Sequence, residues 1–530
     1  MTFDDTSVRD VLAGLPIRIG HVFRPHAEHT PERLALVSPE GRLTYGELAE
    51  LVSGTARSLL SLGVRPGDRM MIVGENCLSL AVLVLAASEI DAWSVVVHPR
   101  LAAREVDQIL DHSNSCIVFY DARPAAMAEM HARRHSARTR GLGELRHIVV
   151  GDLRRDAKPE PTHSSSDRQV ATLIYTSGTT GLPKGVMLSH RNLLFGAASV
   201  VENRMMTAAD HVYGMTAIAH ISGFTLGLIA TLSVGATLFL PPRFDPAAMT
   251  DSMSHDGITM ATGTPTMFRQ LLEYMTQNAI DRRTSGKLRF LGVVGAPLDI
   301  ALKREVEERL RVPLINGYGL TETSPGIASV DLSAPRDDTS VGFVLPGIES
   351  RILDRNGAEV SPGEVGELHV RGPNVMLGYY RNREETAAVL DAAGWFNTGD
   401  LARTAADGAL FIVGRTKDII IHMALNIYPA EVEAVLDSHP DVVESAVIGR
   451  RSHQDQDEDV VAFVKLVPNS RTTGEDLIAY SSRELADYKL PSAIYIVDAM
   501  PLNAAGKIAR NQLAALIASP SPAERDPPKP

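Results

Sequence analysis

Cysteine is nearly missing from this 530-residue chain, which holds only Cys77 and Cys116. Two cysteines cannot build a disulfide framework, and neither stands in a metal-ligand spacing. A structural zinc is therefore not expected, and a reducing, cytoplasmic setting is. An excess of positive charge is missing too: 52 Lys and Arg face 64 Asp and Glu, a net charge of −12. That balance argues against nucleic acid as a bulk partner. The start, MTFDDTSVRD, is acidic and has no apolar stretch, so no signal peptide is expected. Long uncharged runs are scarce as well. One, ISGFTLGLIATLSVGATLFLPP from Ile221 to Pro242, is long enough to span a bilayer. Its Gly235 and the shift to Ala-Thr-Leu-Phe-Leu read instead as a buried helix followed by a buried strand, so no membrane association is expected. Internal repeats, a Rossmann fingerprint and a Walker A motif are also missing.

What is present is a soluble, globular composition, 44% hydrophobic and 22% charged, over a length too great for one ordinary core. Helical periodicity over Tyr45 to Leu62 and Ile300 to Leu310 alternates with β-like runs at Arg69 to Val73, Ile148 to Val150 and Phe290 to Val294. The alternation predicts an α/β fold with large sheets. From Val360 to Tyr380 the chain turns strand- and glycine-rich. The segment from Asp418 to about Leu516 reads as a small α+β unit, and the Pro-rich tail 519–530 as disordered.

One stretch carries most of the chemistry: Thr176-Ser177-Gly178-Thr179-Thr180-Gly181-Leu182-Pro183-Lys184-Gly185. Glycines let backbone N–H groups converge on one concavity, hydroxyls add donors, and lysine adds a mobile charge. Such a loop suits a run of phosphates. A flexible linker has the same composition, but it needs neither the Pro-Lys pair nor apolar flanks. Here Val170 to Tyr175 leads in as a buried strand and Val186-Met187-Leu188 leads out. Because Gly185 follows Lys184, and the next helix is expected from Asn192 to Val201 with Ser189 as its cap, the spacing excludes a P-loop motor or kinase.

A second constellation is Asn316-Gly317-Tyr318-Gly319-Leu320-Thr321-Glu322. Its glycines allow close backbone approach, Tyr318 offers a face for stacking a base, and the Glu322 carboxylate suits Mg²⁺. Read alone it is equally a turn with an exposed tyrosine. A third, Phe396-Asn397-Thr398-Gly399-Asp400, places a carboxylate after a glycine turn, where Asp400 could accept two ribose hydroxyls; such turns are common without any ligand.

These motifs do not stand alone. TSGTTGLPKG, NGYGLTET, GELHVRGPNVMLGYY, GWFNTGD, GRTKDIII, NIYPAEVE and PLNAAGKI occur in one order, with LTYGEL, GVRPGDR and GAPL beside them. Over roughly residues 15–518 the chain resembles the adenylate-forming family of acyl-CoA synthetases, firefly luciferase and peptide-synthetase adenylation domains. It is most similar to the benzoate-type acid–CoA ligases. The resemblance implies a large N-terminal domain, 1–414, of stacked α/β sheets with a small β-barrel-like part. A hinge at 415–417 and a small mobile α+β domain, 418–518, would follow. The implied reaction has two steps. A carboxylate attacks the α-phosphorus of ATP to give acyl-AMP and pyrophosphate, and a nucleophile then displaces AMP. Because the first step gathers anions, charge neutralisation should dominate it.

The resemblance also implies roles. Thr176, Ser177, Gly178, Thr179, Thr180 and Lys184 would cradle the β- and γ-phosphates. Tyr318 would stack on adenine, with Gly295, Ala296 and Pro297 on its other side and Asn316, Gly317 and Gly319 framing it. Thr321 would meet the α-phosphate, Glu322 would hold Mg²⁺, and Asp400 with Arg415 would bind ribose. Lys507 would bridge the carboxylate and the α-phosphate, although without its Gly-Lys-Ile context it is a solvated lysine beside a turn. Lys417 would be the hinge residue. His220 stands where the family often has P-x-F-H-x-x-G, with Ala217 and Ala219 replacing the proline and phenylalanine. It reads either as a packed core histidine or as a group at the acyl pocket between carboxylate and nucleophile.

One departure bears on the acceptor. Where thioester-forming members commonly have two glycines, this chain has Met423 and Ala424, which would narrow the channel for pantetheine. From 418 to 518 there are eight Lys or Arg and fifteen Asp or Glu, and Leu490 and Ser492 stand where basic residues are common. CoA, a polyanion, normally meets cations. The expected acceptor is CoA, with an amine as the alternative, as in amide ligases of the coronafacate-ligase type. A nucleotide sensor without ligation would have damaged motifs, and these are intact. The segments Ile221 to Gly227, Gly292 to Ala296 and Thr323 to Ala328 are small and apolar, with no fixed cation or acid. They imply a neutral, largely apolar acid. A monomer or homodimer is expected.

Overall fold

The computed structural model describes residues 11–123, 126–139, 142–176, 183–280, 286–422, 425–451, 458–502 and 507–518. The chain divides into two compact units. The first comprises Met1–Gly295, Val306–Arg351 and His369–Thr398; the second comprises Ala296–Glu305, Ile352–Leu368 and Gly399–Pro530.

The first unit is built on two large sheets. One has eight strands, in the order Gly378–Tyr379, Lys184–Ser189, Val170–Thr176, Trp93–Val97, Arg69–Val73, Ile117–Tyr120, Val149–Val150 and Arg138–Thr139. Its middle strands are parallel and fully buried, so they read as continuous apolar runs rather than alternating ones. The other has nine strands, in the order Phe343–Val344, Gly326–Ser329, Leu314–Gly319, Phe290–Val293, Met260–Gly263, His211–Tyr213, Thr237–Phe239, Leu34–Ser38 and Gly41–Thr44.

Helix Leu78–Glu89 shows how a sequence can specify an interior layer. Residues Ser79 through Ser88 are all buried, so the helix has no polar face to give to water. Tyr45–Leu62 is the amphipathic counterpart. Thr44 and Glu47 close a capping box at its start, with bonds of 3.2 and 2.8 Å, and Gly63 ends it at φ +98°. The uncharged run 221–242 is a helical stretch, Ser222–Ile229 followed by Ala230–Ser233, then a turn at Gly235 (φ +76°) and the strand Thr237–Phe239. Among the described residues no helix is long and apolar enough to cross a membrane.

Helix His190–Asn203 does most to position the site. Its cap is Ser189, whose hydroxyl accepts from Asn192 N at 3.1 Å while Asn192 Oδ1 accepts from Ser189 N at 2.8 Å. The helix thus begins two residues before Asn192. The Asn192 side-chain amide also donates to Pro373 O and Val375 O, at 2.8 and 2.9 Å, fixing the loop that leads to Tyr379. Midway along, a Cβ on Gly196 would lie 2.1 Å from Ser324 O, so only glycine lets the helix approach that turn.

Within the second unit, Phe396–Thr404 and Leu410–Arg415 pair antiparallel with Asp400 opposite Arg415. They belong to a four-stranded sheet with Glu349–Leu353 and Gly366–Arg371. A hairpin, Ile420–His422 with Leu425–Ile427, follows. Further on, a three-stranded sheet is formed by Val442–Arg451, Glu458–Leu466 and Ala493–Ile496. Its core gathers Ile420, Val432, Leu436, Val447, Val460 and Leu477.

Candidate active site

The phosphate-loop motif is carried on a β-hairpin whose arms end with Thr176 opposite Lys184. Ser177, Gly178, Thr179 and Thr180 lie outside the described residues. Lys184 is half-buried. Its ammonium pairs with the Glu385 carboxylate and stands 5.1 Å from the centroid of the Tyr379 ring. Tyr379 Oη in turn donates to Glu322 Oε1 at 2.9 Å. Burial, and then the Glu322 carboxylate, push the Tyr379 phenol well above its ordinary pKa, so it acts as a hydrogen-bond donor. One chain of contacts therefore links the phosphate-loop lysine to the second motif's acid through Tyr379, with Glu385 paired to the lysine, and sequence reasoning singled out neither of these two residues. Tyr379 lies inside a quoted motif; Glu385 stands in an ordinary helix start and gave no signal.

Glu322 sits in the short turn Thr321–Thr323. Met376 N donates to Glu322 O at 2.8 Å, and Thr323 Oγ1 donates to Pro325 O at 2.7 Å. Tyr318 pairs with Ala328 across two antiparallel strands. A Cβ on Gly319 would lie 1.6 Å from Pro325 O, which explains the glycine after the tyrosine. Asn316 has a structural partner: its amide donates to Thr339 O and Ser340 O at 2.9 and 3.2 Å. Gly317 is framed by the same pair of strands. Gly295 has φ +84°, and Gly295, Ala296 and Pro297 are all exposed.

His220 is partly buried, in the loop that leaves strand His211–Tyr213. Its ring stacks on His98, 6.3 Å between centroids and 14° between planes. Burial, then the neighbouring His220 and Arg100, hold His98 down at about 4, so it is neutral at pH 7. The loop is pinned by Asn76, a buried residue whose Nδ2 donates to Thr216 O at 3.1 Å and whose Oδ1 accepts from Ile218 N at 2.8 Å. Asn76 followed a strand in the sequence and carried no motif. Replacing Asn76 by alanine strands these backbone groups. We expect a loss of about 1–3 kcal/mol in unfolding free energy together with slower turnover. Urea denaturation checks this, and an unchanged midpoint contradicts it.

The second unit brings three separated sequence positions together. Asp400 is buried, and its Oδ1 pairs with Arg415 Nε at 3.0 Å. Lys507 feels both: desolvation and then the Arg415 cation lower its pKa from the ordinary lysine value, while Asp400 opposes them. Lys507 is exposed by area, so solvent tempers each of these effects. Thr416–Asp418, with Lys417, forms a short turn, and Thr416 Oγ1 donates to Glu367 Oε1 at 2.9 Å. Met423 and Ala424 lie outside the described residues. The hairpin that flanks them is held by Glu458, whose carboxylate accepts from Ile421 N at 3.0 Å.

The small apolar segments hold no cation of their own, but one from another element lies against Gly292. Arg204, from the end of helix His190–Asn203, places its Nη1 2.6 Å from Thr262 Oγ1, beside Gly292. It comes from a different element, so no local pattern marks it.

Residues 23–380 match the model of the AMP-binding enzymes, and residues 431–507 match that of the AMP-binding enzyme C-terminal domain. The chain belongs to the AMP-binding enzymes. It is 33% identical over 525 residues to a 3-[(3aS,4S,7aS)-7a-methyl-1,5-dioxo-octahydro-1H-inden-4-yl]propanoyl:CoA ligase of Mycobacterium tuberculosis. That match covers 95% of this chain and 98% of the relative. Among solved structures it is similar to o-succinylbenzoate coenzyme A synthetase from Bacillus subtilis in complex with ATP and magnesium ion. The TM-score is 0.79 at 31% identity, covering 93% of this chain and 99% of that one. It is also similar to the amide bond synthetase McbA from Marinactinospora thermotolerans, with a TM-score of 0.80 at 26% identity, covering 96% and 99%. As a member of this family the chain is an ATP-dependent, AMP-forming ligase of the acyl-CoA synthetase kind.

Proposed function

We propose that this AMP-binding enzyme activates a small carboxylic acid as its acyl adenylate and transfers the acyl group to CoA. The convergence of Asp400, Arg415 and Lys507 in one unit carries the reading, since it supplies a carboxylate for ribose hydroxyls beside two cations for anionic oxygens. The acid's oxygen attacks the α-phosphorus of ATP, the bond to the β-phosphate oxygen breaks, and pyrophosphate leaves with that electron pair. Lys507 holds the two anionic reactants together, and Lys184 leaves Glu385 to meet the phosphates. Thr321 binds an oxygen on the α-phosphate, and Tyr318 stacks the base with Gly295, Ala296 and Pro297. Glu322 keeps Oε2 available while Oε1 accepts from Tyr379. Glu322 would hold Mg²⁺, which would neutralise phosphate charge when bound. His220, held by the Asn76-pinned loop, borders the acyl end. Lys417 is the hinge, with 1–414 and 418–518 as the parts that turn between half-reactions and 519–530 as a tail.

CoA as acceptor is supported by the names of the relatives, of which two are CoA ligases. Their names also describe acids with oxygen functions beyond the reacting carboxyl. The amine alternative is supported by the likeness to an amide bond synthetase, by Met423 and Ala424, and by the acidic small domain. Acyl-CoA and amide products, measured by mass spectrometry for the unmodified enzyme and for Met423→Gly/Ala424→Gly, separate the two. CoA as acceptor predicts abundant thioester from the unmodified enzyme and little change, or a gain, in the variant. Thioester appearing only in the variant, with amide from the unmodified enzyme, overturns that choice.

A further inference from the structure

The nine-stranded sheet reverses its winding at one place. From His211–Tyr213 the chain steps to one side, Thr237–Phe239, then returns to the other with Met260–Gly263, Phe290–Val293 and Leu314–Gly319, all parallel. At such a point the loops leaving the carboxyl ends of neighbouring strands diverge and open a crevice that suits ligands. Here the diverging loops are the His220 loop and the one after Gly263.

Arg204 reaches the strand beside that point. It is 6% exposed and bonds Thr262, the penultimate residue of its strand, while its guanidinium carbon lies 5.7 Å from the Phe290 ring centroid. Among the described residues no carboxylate pairs with it. A buried cation without a counter-charge is costly, and burial alone lowers its pKa to about 10, which leaves it protonated at neutral pH. Its Nη2 packs against Gly292. A Cβ there would lie 3.3 Å from Nη2 and 2.7 Å from Thr262 Oγ1, so only glycine lets the guanidinium and the Thr262 hydroxyl sit where they do. A role limited to the helix dipole would be met by an exposed side chain at the helix end. This one is carried into the sheet instead.

We propose that Arg204 recognises an oxygen acceptor, a ketone or a second carboxylate, at the end of the substrate acid remote from the reacting carboxyl. This rests on the acid-activating reading above. It replaces the neutral, apolar acid implied by the small segments with one that is apolar along its length and polar at its tip.

The test uses the full-length enzyme with ATP and Mg²⁺ and reads pyrophosphate release. The acids are 4-isopropylbenzoate and its near-isosteres 4-acetylbenzoate and terephthalate, with the corresponding phenylpropanoates. The kcat/KM ratio of oxygenated to apolar acid should exceed one by about 10- to 100-fold in one series. Arg204→Met should bring that ratio close to one, and Arg204→Lys should keep part of it. Where Arg204→Met does not fold, Gly292→Ala, whose methyl would displace the Thr262 hydroxyl and the guanidinium, should lower the same ratio. A preference for the apolar acids, or a ratio unmoved by the substitutions, overturns the assignment of Arg204 alone. Absence of turnover with these and a wider panel of acids overturns the acid-activating reading, and this inference with it.

Discussion

Lys507→Ala should lower acid-dependent pyrophosphate release by about 10²-fold or more while ATP still binds. The reason is electrostatic. Adenylation requires a carboxylate and a triphosphate to come within bonding distance, and their repulsion has to be cancelled where they meet. Asp400 and Arg415 pair with each other at 3.0 Å. Lys507 lies on the same unit, and desolvation and Arg415 both shift its pKa downward. A lysine so placed responds strongly to the arrival of two anions. Lys507→Arg keeps the charge but not the compact head, and should recover only part of the rate. Quenched-flow measurement of pyrophosphate, with ATP affinity from calorimetry, checks both variants. Near-normal release by Lys507→Ala would remove Lys507 from the mechanism.

Gly319→Ala should be as damaging, for a steric reason. One added methyl would sit 1.6 Å from Pro325 O, a backbone atom that also accepts from Leu320 N at 3.0 Å and from Thr323 Oγ1 at 2.7 Å. The methyl cannot be accommodated by a side-chain rotation, so the strand or the turn has to move. Tyr318 lies on one side of the clash and Thr321 and Glu322 on the other. A displacement on the order of 1 Å between the groups proposed to bind base, α-phosphate and metal should cost about 10²-fold in rate. Nucleotide affinity and turnover should therefore fall together in Gly319→Ala, in contrast to Lys507→Ala. Unchanged ATP affinity with a native melting profile would contradict this account of the turn.

Much of the architecture was legible because it rests on local rules. The Tyr45–Leu62 helix is bracketed by its own capping box and C-terminal glycine. The strand Arg69–Val73 is an apolar run of the right length, and Gly235 divides a helical stretch from the strand after it. The family was legible for another reason: seven motifs in order are a global signal that no single loop provides. What escaped were residues whose meaning depends on topology. Arg204 looks like any arginine at a helix end until the sheet order brings Thr262 and Gly292 alongside it. Asn76 lies 140 residues before Thr216, and only the fold makes it the peg of the His220 loop. Asn316 is a further case. Inside a nucleotide motif it invites a binding role, and the fold adds an anchor that the motif does not reveal, its Nδ2 donating to Thr339 O and Ser340 O.

The most direct test follows oxygen. An acid accepted by the enzyme, labelled with ¹⁸O in its carboxyl group, is incubated with ATP, Mg²⁺ and CoA, and the nucleotide and acyl products are weighed by mass spectrometry. Attack of the carboxylate on the α-phosphorus, followed by displacement at the acyl carbon, predicts one ¹⁸O retained in AMP for each acyl-CoA formed. Label in orthophosphate with ADP as the nucleotide product, or unlabelled AMP, would contradict an acyl-adenylate route.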